Sequence, residues 1–190
     1  MFKKQFYQKS FGITNPEILD AFSRVSSVKH VPKGESLIPE GAFHPNIYLL
    51  IKGVLLGFWS NTKGKEATEC FIFRYGQPAM GSYRLDDLPL AGIHTEVDTT
   101  LLQITKEDFG NLAAQYPELV LLYNQMLIQE MEEQSRIKHT IYMLDAQERY
   151  EWFLQNYAEL HGLVSFKHIA SFLNMSPVTL SRIRASLGEI

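Results

Sequence analysis

Residues 166–185 read Phe-Lys-His-Ile-Ala-Ser-Phe-Leu-Asn-Met-Ser-Pro-Val-Thr-Leu-Ser-Arg-Ile-Arg-Ala. Counted from Phe166, apolar residues fall fourth (Ile169), eighth (Leu173), tenth (Met175), fifteenth (Leu180) and eighteenth (Ile183), and the fifth residue is Ala170. This is the spacing of a helix-turn-helix. Two helices that cross steeply need a shared apolar seam and one small residue where their backbones approach. The ninth place usually favours glycine because the turn wants a positive φ. Here it is Asn174, among the residues best tolerated there. Ser176 is a good N-cap and Pro177 a good first residue for the second helix. Apolar residues at these intervals also occur in helical hairpins that only pack. The small fifth residue, the Ser-Pro start and the charge pattern together favour DNA reading.

The second helix is expected to turn a polar face outward: Ser176, Thr179, Ser181, Arg182 and Arg184. Between Ser165 and Leu187 stand three basic residues, Lys167, Arg182 and Arg184, and no acidic ones. Arginine can grip guanine O6 and N7 in two bonds or hold phosphates. Serine and threonine at a helix start suit phosphate oxygens, helped by the helix N-terminus. The candidate DNA contacts are Lys167, Ser176, Pro177, Val178, Thr179, Ser181, Arg182 and Arg184.

Upstream, Asp145 with Glu148 starts a helix that runs through Arg149–Leu160 and ends at His161-Gly162. Residues 117–144 carry Leu119, Val120, Tyr123, Met126, Leu127, Met131, Ile137, Ile141 and Leu144, a long helical stripe with a polar middle. Such a helix is about 40 Å long, too long for one small domain to cover, so part of it should pack on another helix. Tyr123, Met126, Leu127 and Met131 are the candidate dimer-seam residues, and Glu132 and Arg136 are spaced for an i,i+4 pair. Thr105 with Asp108 reads as a further helix start.

Residues 28–104 differ in style. Glycines recur, and short β-prone runs lie between them: Val28–Pro32, Ser36–Pro39, Ile47–Ile51, Val54–Ser60, Glu66–Phe73 and Leu101–Ile104. Many short strands at this spacing predict a sandwich or jelly roll rather than alternating β/α units. The aromatics Phe43, Tyr48, Phe58, Trp59, Phe71, Phe73, Tyr75 and Tyr83 are expected to fill it. Before it, Asn15 and Pro16 open a helix carrying Ile18, Leu19, Phe22 and Val25.

Composition bounds the rest. The 190 residues are 45% hydrophobic and 21% charged, which excludes a disordered or collagen-like chain. The longest apolar runs, Ile47–Ile51 and Leu119–Tyr123, fall far short of the roughly 20 residues needed to span a bilayer, and no membrane partner is expected. No apolar stretch follows the basic start Met-Phe-Lys-Lys-Gln-Phe, so no signal peptide is expected and a cytoplasmic location fits. The single cysteine, Cys70, excludes an internal disulfide and a multi-cysteine zinc site, and it reads as core packing. His30, His44 and His94 lack the His-x-His spacing of a jelly-roll metal centre, so structural histidines, no metal and no cofactor are expected. The net charge of −3 supplies no global basic field, so DNA binding must come from a local patch.

Taken together, these residues resemble the Crp–Fnr family of bacterial transcription regulators, and the resemblance covers nearly the full chain. Leu-Asp-Ala-Gln-Glu-Arg-Tyr at 144–150, with Ile-Ala-Ser-Phe-Leu and Thr-Leu-Ser-Arg-Ile-Arg inside the helix-turn-helix, are its most specific part and look like the short members found in Bacteroidetes-type bacteria. Ile47 to Gly53 is similar to the central strand and turn of the family's cyclic-nucleotide-binding-like β-roll. The resemblance implies an α+β chain: a β-roll (jelly roll) sensor at 1–115, a dimerisation helix at 116–143 and a helix-turn-helix domain at 144–190. It implies a homodimer that binds double-stranded DNA, is controlled by an unidentified small-molecule effector, and is not an enzyme.

Departures matter. Family members that bind cyclic AMP carry a Gly-Glu pair and a later arginine for the phosphate. Here Gly81-Ser82 falls at the first and Pro89 at the second, and the loop between is about three residues shorter. Arg84 is near enough to substitute, but Asp86 and Asp87 would oppose an anion, so cyclic AMP is not expected. The effector-pocket candidates are Gly81, Ser82, Tyr83, Arg84, Pro89 and Leu90. The family's N-terminal cysteine cluster is missing, which argues against an iron–sulfur sensor. In the recognition helix Val178 stands where many relatives carry glutamate, Pro177 replaces an arginine seen in some, and Arg182 matches a common family arginine. With Ile190 just past that helix, no wing hairpin is expected. The alternatives are a cupin-type enzyme on a similar roll, which needs a metal centre, and a ligand-sensing adaptor whose helix-turn-helix makes only protein contacts.

Overall fold

The structure is a computed structural model and describes residues 1–188. The last two positions of the helix-turn-helix segment, 189 and 190, lie outside the described residues. Among the described residues, eight strands form two four-stranded sheets, and all pairs are antiparallel. The strands are β1 (Ser27–Val31), β2 (Ser36–Ile38), β3 (Asn46–Lys52), β4 (Leu55–Ser60), β5 (Glu66–Ile72), β6 (Pro78–Ala79), β7 (Gly92–Thr95) and β8 (Thr99–Thr105). One sheet runs β1-β8-β3-β6 and the other β2-β7-β4-β5. This is the jelly roll. The tight link from β3 to β4 depends on Gly53: its φ is 122°, and an added Cβ would lie 2.8 Å from the Thr99 backbone.

Alternation along the strands explains why nearly every residue of β3 is apolar. Tyr48 and Leu50 point between the sheets with Leu55, Ile72, Ile93 and Leu101. Ile47 and Leu49 point the other way, with Leu102 and Ile104, onto helices α1 (Phe2–Phe11), α2 (Pro16–Val25) and α3 (Lys106–Gln115). The second sheet is also covered outside. Val54, Leu56 and Phe71 share a core with Ile137 and the C-terminal helices. The long helix α4 (Glu118–Met143) spans 26 residues, about 39 Å at the usual rise. Then come α5 (Ala146–Asn156), a 3₁₀ turn (Ala158–Leu160), α6 (Phe166–Phe172) and α7 (Pro177–Ser186). Among the described residues, no helix is long and apolar enough to cross a membrane.

The cap signals hold. The side chains of Asn15, Thr105 and Ser176 each accept a backbone N–H of the helix they open, and Asp145 with Glu148 forms a complete capping box. Asn174 has φ 50°.

Other expectations need correcting. Helix α1 carries no side-chain cap that would mark its start; tertiary burial of Phe6 and Tyr7 holds it. Helix α5 ends at Asn156, four residues early, because the chain tightens into the 3₁₀ turn. Arg136 pairs with Glu133 at 2.6 Å rather than with Glu132. Phe43, Trp59, Tyr75 and Tyr83 do not fill the roll but are exposed, and Phe71 leaves it to pack on the C-terminal helices.

Candidate nucleic-acid interface and sensor cavity

Helices α6 and α7 present the expected polar face. Leu180 is buried and Ile183 half-buried against the domain core, so the opposite side of α7 faces outward. Val178, Ser181, Arg182 and Ala185, at helical spacing, are all exposed, as are Ser176, Pro177 and Lys167. Val178 is 60% exposed, an apolar side chain left largely open to solvent. Three candidates are already engaged. The Ser176 hydroxyl accepts the Thr179 N–H at 3.0 Å and lies 2.8 Å from the Thr179 hydroxyl, so both oxygens build the cap. The Arg184 guanidinium stacks 3.6 Å from the centre of the Phe166 ring, which turns it toward α6. Arg149, which sequence reasoning missed, donates to the Asn174 carbonyl at 3.3 Å and adds a positive charge at the turn.

Helices α5 to α7, the head, are docked on the roll of the same chain. Phe71 of β5 meets Phe172 at 5.1 Å and Phe153 at 6.3 Å between ring centres. The Thr68 N–H donates to the Ser171 hydroxyl at 2.9 Å. The Glu96 Oε1 atom lies 3.0 Å from His94 Nε2 and 3.1 Å from His168 Nδ1, the latter without hydrogen-bond alignment. The His94–Glu96 hydrogen bond sits at the end of β7, and the His168 ring of α6 stands beside it, 6.0 Å from the His94 ring. Among the described residues, no group of three or more His, Cys, Asp or Glu side chains is placed to hold a metal ion.

Helix α4 joins roll and head. Glu133 accepts the Tyr157 hydroxyl at 2.6 Å and two bonds from Arg136. Burial alone would raise its carboxyl, but the Tyr157 and Arg136 bonds outweigh burial and hold it below the usual glutamate range. Of the seam candidates, Tyr123 and Met126 lean on their own subunit. The Tyr123 hydroxyl donates to the Tyr83 carbonyl at 3.0 Å, and Met126 borders an apolar cleft beside Tyr7 and Phe22. Leu127 is half-buried. Met131 is 65% exposed, and Leu121 and Ile128, seven residues apart, are 65% and 55% exposed. The outward apolar stripe is therefore rotated from the expected one.

A cavity of about 250 Å³ opens between the second sheet, the 80–91 loop and α4. Of the effector candidates, Gly81, Ser82, Tyr83 and Leu90 line it. Arg84 and Pro89 do not; they border a smaller cavity of about 20 Å³ beside His44 and Lys106. Arg84 is exposed and faces Asp87 at 3.7 Å. Gly81 has to be glycine, since a Cβ there would lie 2.7 Å from the Ala91 carbonyl oxygen. Sequence reasoning missed Trp59, Glu69, Cys70, Glu130 and Gln134, which also line the cavity. The signal was faint: Gly57 pairs with Cys70 and Phe58 with Thr68, so Glu69 is the extra residue of a β-bulge. Burial of Glu69, with Glu130 across from it, pushes its carboxyl up to about 7. Burial pushes the Cys70 thiol well up, which leaves it protonated.

No family profile and no curated protein sequence matches the chain. Solved structures do. FixK2 from Bradyrhizobium japonicum matches at 14% identity and TM-score 0.72, with 86% of this chain and 85% of that one covered. A putative crp/fnr-family transcriptional regulator from Eubacterium rectale matches at 17% identity and TM-score 0.75, covering 92% and 83%. The c-di-GMP responsive global regulator CLP from Xanthomonas campestris matches at 16% identity and TM-score 0.74, covering 92% of each chain. The likeness runs through roll, long helix and head together, and the fold of this chain is that of the Crp/Fnr transcription regulators.

Proposed function

We propose that the chain is a homodimeric, sequence-specific DNA-binding transcription regulator controlled by a small molecule held in the cavity beside α4. The observation that carries this reading is the outward face of α7. Val178, Ser181 and Arg182 stand clear of their own subunit on a capped helix. That helix belongs to a segment with no acidic side chain between Ser165 and Leu187. Val178 suits a thymine methyl, and Arg182 suits a guanine edge or a phosphate. Lys167 and Arg149 supply sequence-independent charge. Arg184, stacked on Phe166, serves phosphate rather than bases.

The units are the roll at 1–115, the helix at 116–143 and the head at 144–190. Leu121, Ile128 and Met131 form the dimer seam along α4. Two copies of α7 then enter successive major grooves about 34 Å apart on a near-palindromic site. An occupant of the cavity touches α4 at Glu130, one turn before Glu133, which holds Tyr157 of the head. The occupant shifts the head only if it binds one arrangement of α4 better than the other.

Selection from random duplex DNA by the purified full chain tests the reading. Recovery of a near-palindromic motif supports it. Recovery of no motif, with no retention of DNA even at low salt, favours the adaptor reading instead.

A further inference from the structure

The cavity between the second sheet, the 80–91 loop and α4 has three kinds of wall. Trp59 and Tyr83 stand at it, 48% and 45% exposed. Glu69 comes from the sheet and Glu130 from α4, with Gln77 and Gln134 beside them. Among the described residues that line it there is no lysine, arginine or histidine.

The arrangement is built by the backbone. The bulge in β5 sets Glu69 and Cys70 opposite the single residue Gly57. A Cβ on Gly57 would lie 2.7 Å from Cys70 Sγ and 3.3 Å from Glu69 Oε2. The missing side chain is what gives the carboxylate its space. Glu130 is held in place by Gln134, whose amide donates to it at 3.1 Å. Tyr83 is fixed from α4 through the Tyr123 hydroxyl on its carbonyl.

Two carboxylates facing one cavity without a cation repel any phosphate, and their mutual repulsion falls when a positive charge enters. Aromatic faces attract the same charge. We infer that the cavity binds a compact organic cation, a protonated amine or guanidinium on an apolar body, held between Glu69 and Glu130 and against the rings of Trp59 and Tyr83. The volume of about 250 Å³ restricts it to a small molecule.

The inference deepens the reading of this cavity as the effector site and rests on it. The cation must compete with protons for Glu69, which faces Glu130, Cys70 and Tyr83, so its affinity should fall as pH drops through about 7.

Isothermal titration of the full chain with three isosteres tests the charge rule: tyramine (cation), 4-ethylphenol (neutral) and 3-(4-hydroxyphenyl)propionate (anion). Agmatine serves as a second cation and cyclic AMP as a second anion. At least one of the two cations should bind, with the neutral and anionic isosteres at least about tenfold weaker. Glu69→Gln and Glu130→Gln should each lose at least about tenfold in cation affinity. The inference is overturned if both cations fail to bind at millimolar concentration, if the anion binds as tightly as the amine, or if both variants bind the amine like the parent. Binding of the selected duplex is measured separately, so loss of the regulator reading and loss of the cation site give different results.

Discussion

Replacing Glu69 by Gln removes a carboxyl that the fold holds in an unfavourable place. Its pKa rises from an ordinary 4.5 to about 7, first because it is buried and second because Glu130 lies across the cavity. The raised value fixes the sign. Below the unfolded pKa both states hold the proton and nothing is lost. As pH climbs through the folded value, the native state must give up a proton it holds more tightly than the unfolded chain does, and stability falls. At 1.36 kcal/mol per pH unit, the gap of about 2.5 amounts to about 3 kcal/mol, fully felt above about pH 8. This is an upper figure, because the cavity opens to water, which screens the charge. Gln keeps the shape and carries no charge. Glu69→Gln should therefore match the parent near pH 4.5 and unfold later near pH 8.5, by up to roughly 6–12 °C in a chain of this length. Thermal unfolding of both proteins at the two pH values checks it. If the two curves shift in parallel with pH, Glu69 is not the strained group, and the description of the cavity as an uncompensated acidic site is wrong.

Arg182→Ala should weaken binding to a selected duplex by about 1–3 kcal/mol in an anisotropy titration, with the melting temperature unchanged. An unchanged affinity removes Arg182 from the contacts. Ile128→Glu puts a charge on the exposed α4 stripe and should give a monomer by sedimentation equilibrium, since a like charge on each copy would meet at the seam; a persistent dimer moves the interface elsewhere. Asn174→Ala should cost about 1–2 kcal/mol of stability, because alanine resists a φ of 50°, whereas Asn174→Gly should cost little. Equal effects of the two changes would mean that the asparagine side chain, not the backbone, holds the turn.

The most legible parts of the chain were those whose structure is decided locally. Caps at Asn15, Thr105, Asp145 and Ser176 and the turn at Asn174 follow from side-chain chemistry within a few residues, and all are present. The apolar seam of the helix-turn-helix was legible because two crossing helices leave few spacings open. What escaped was decided by distant packing. Helix α1 gains its order from burying Phe6 and Tyr7 beneath the first sheet. Tyr123 and Met126 look like any helix stripe, and only the position of the roll decides that they face it. Glu69 and Glu130 lie sixty-one positions apart, and a bulge that no residue pattern announces turns Glu69 to the cavity. Arg84 looked suited to replace a phosphate-binding arginine by its place in the chain, but it faces Asp87 in solvent.

The central claim is that two copies of α7 read one duplex. Fluorescence-anisotropy titration of a labelled selected duplex across a salt series, with stoichiometry fixed by sedimentation, tests it most directly. The expected result is two protomers per duplex and an affinity that falls linearly in log–log with salt, at least about a thousandfold tighter than for a scrambled duplex. One protomer per duplex, or equal affinity for the scrambled sequence, would contradict it.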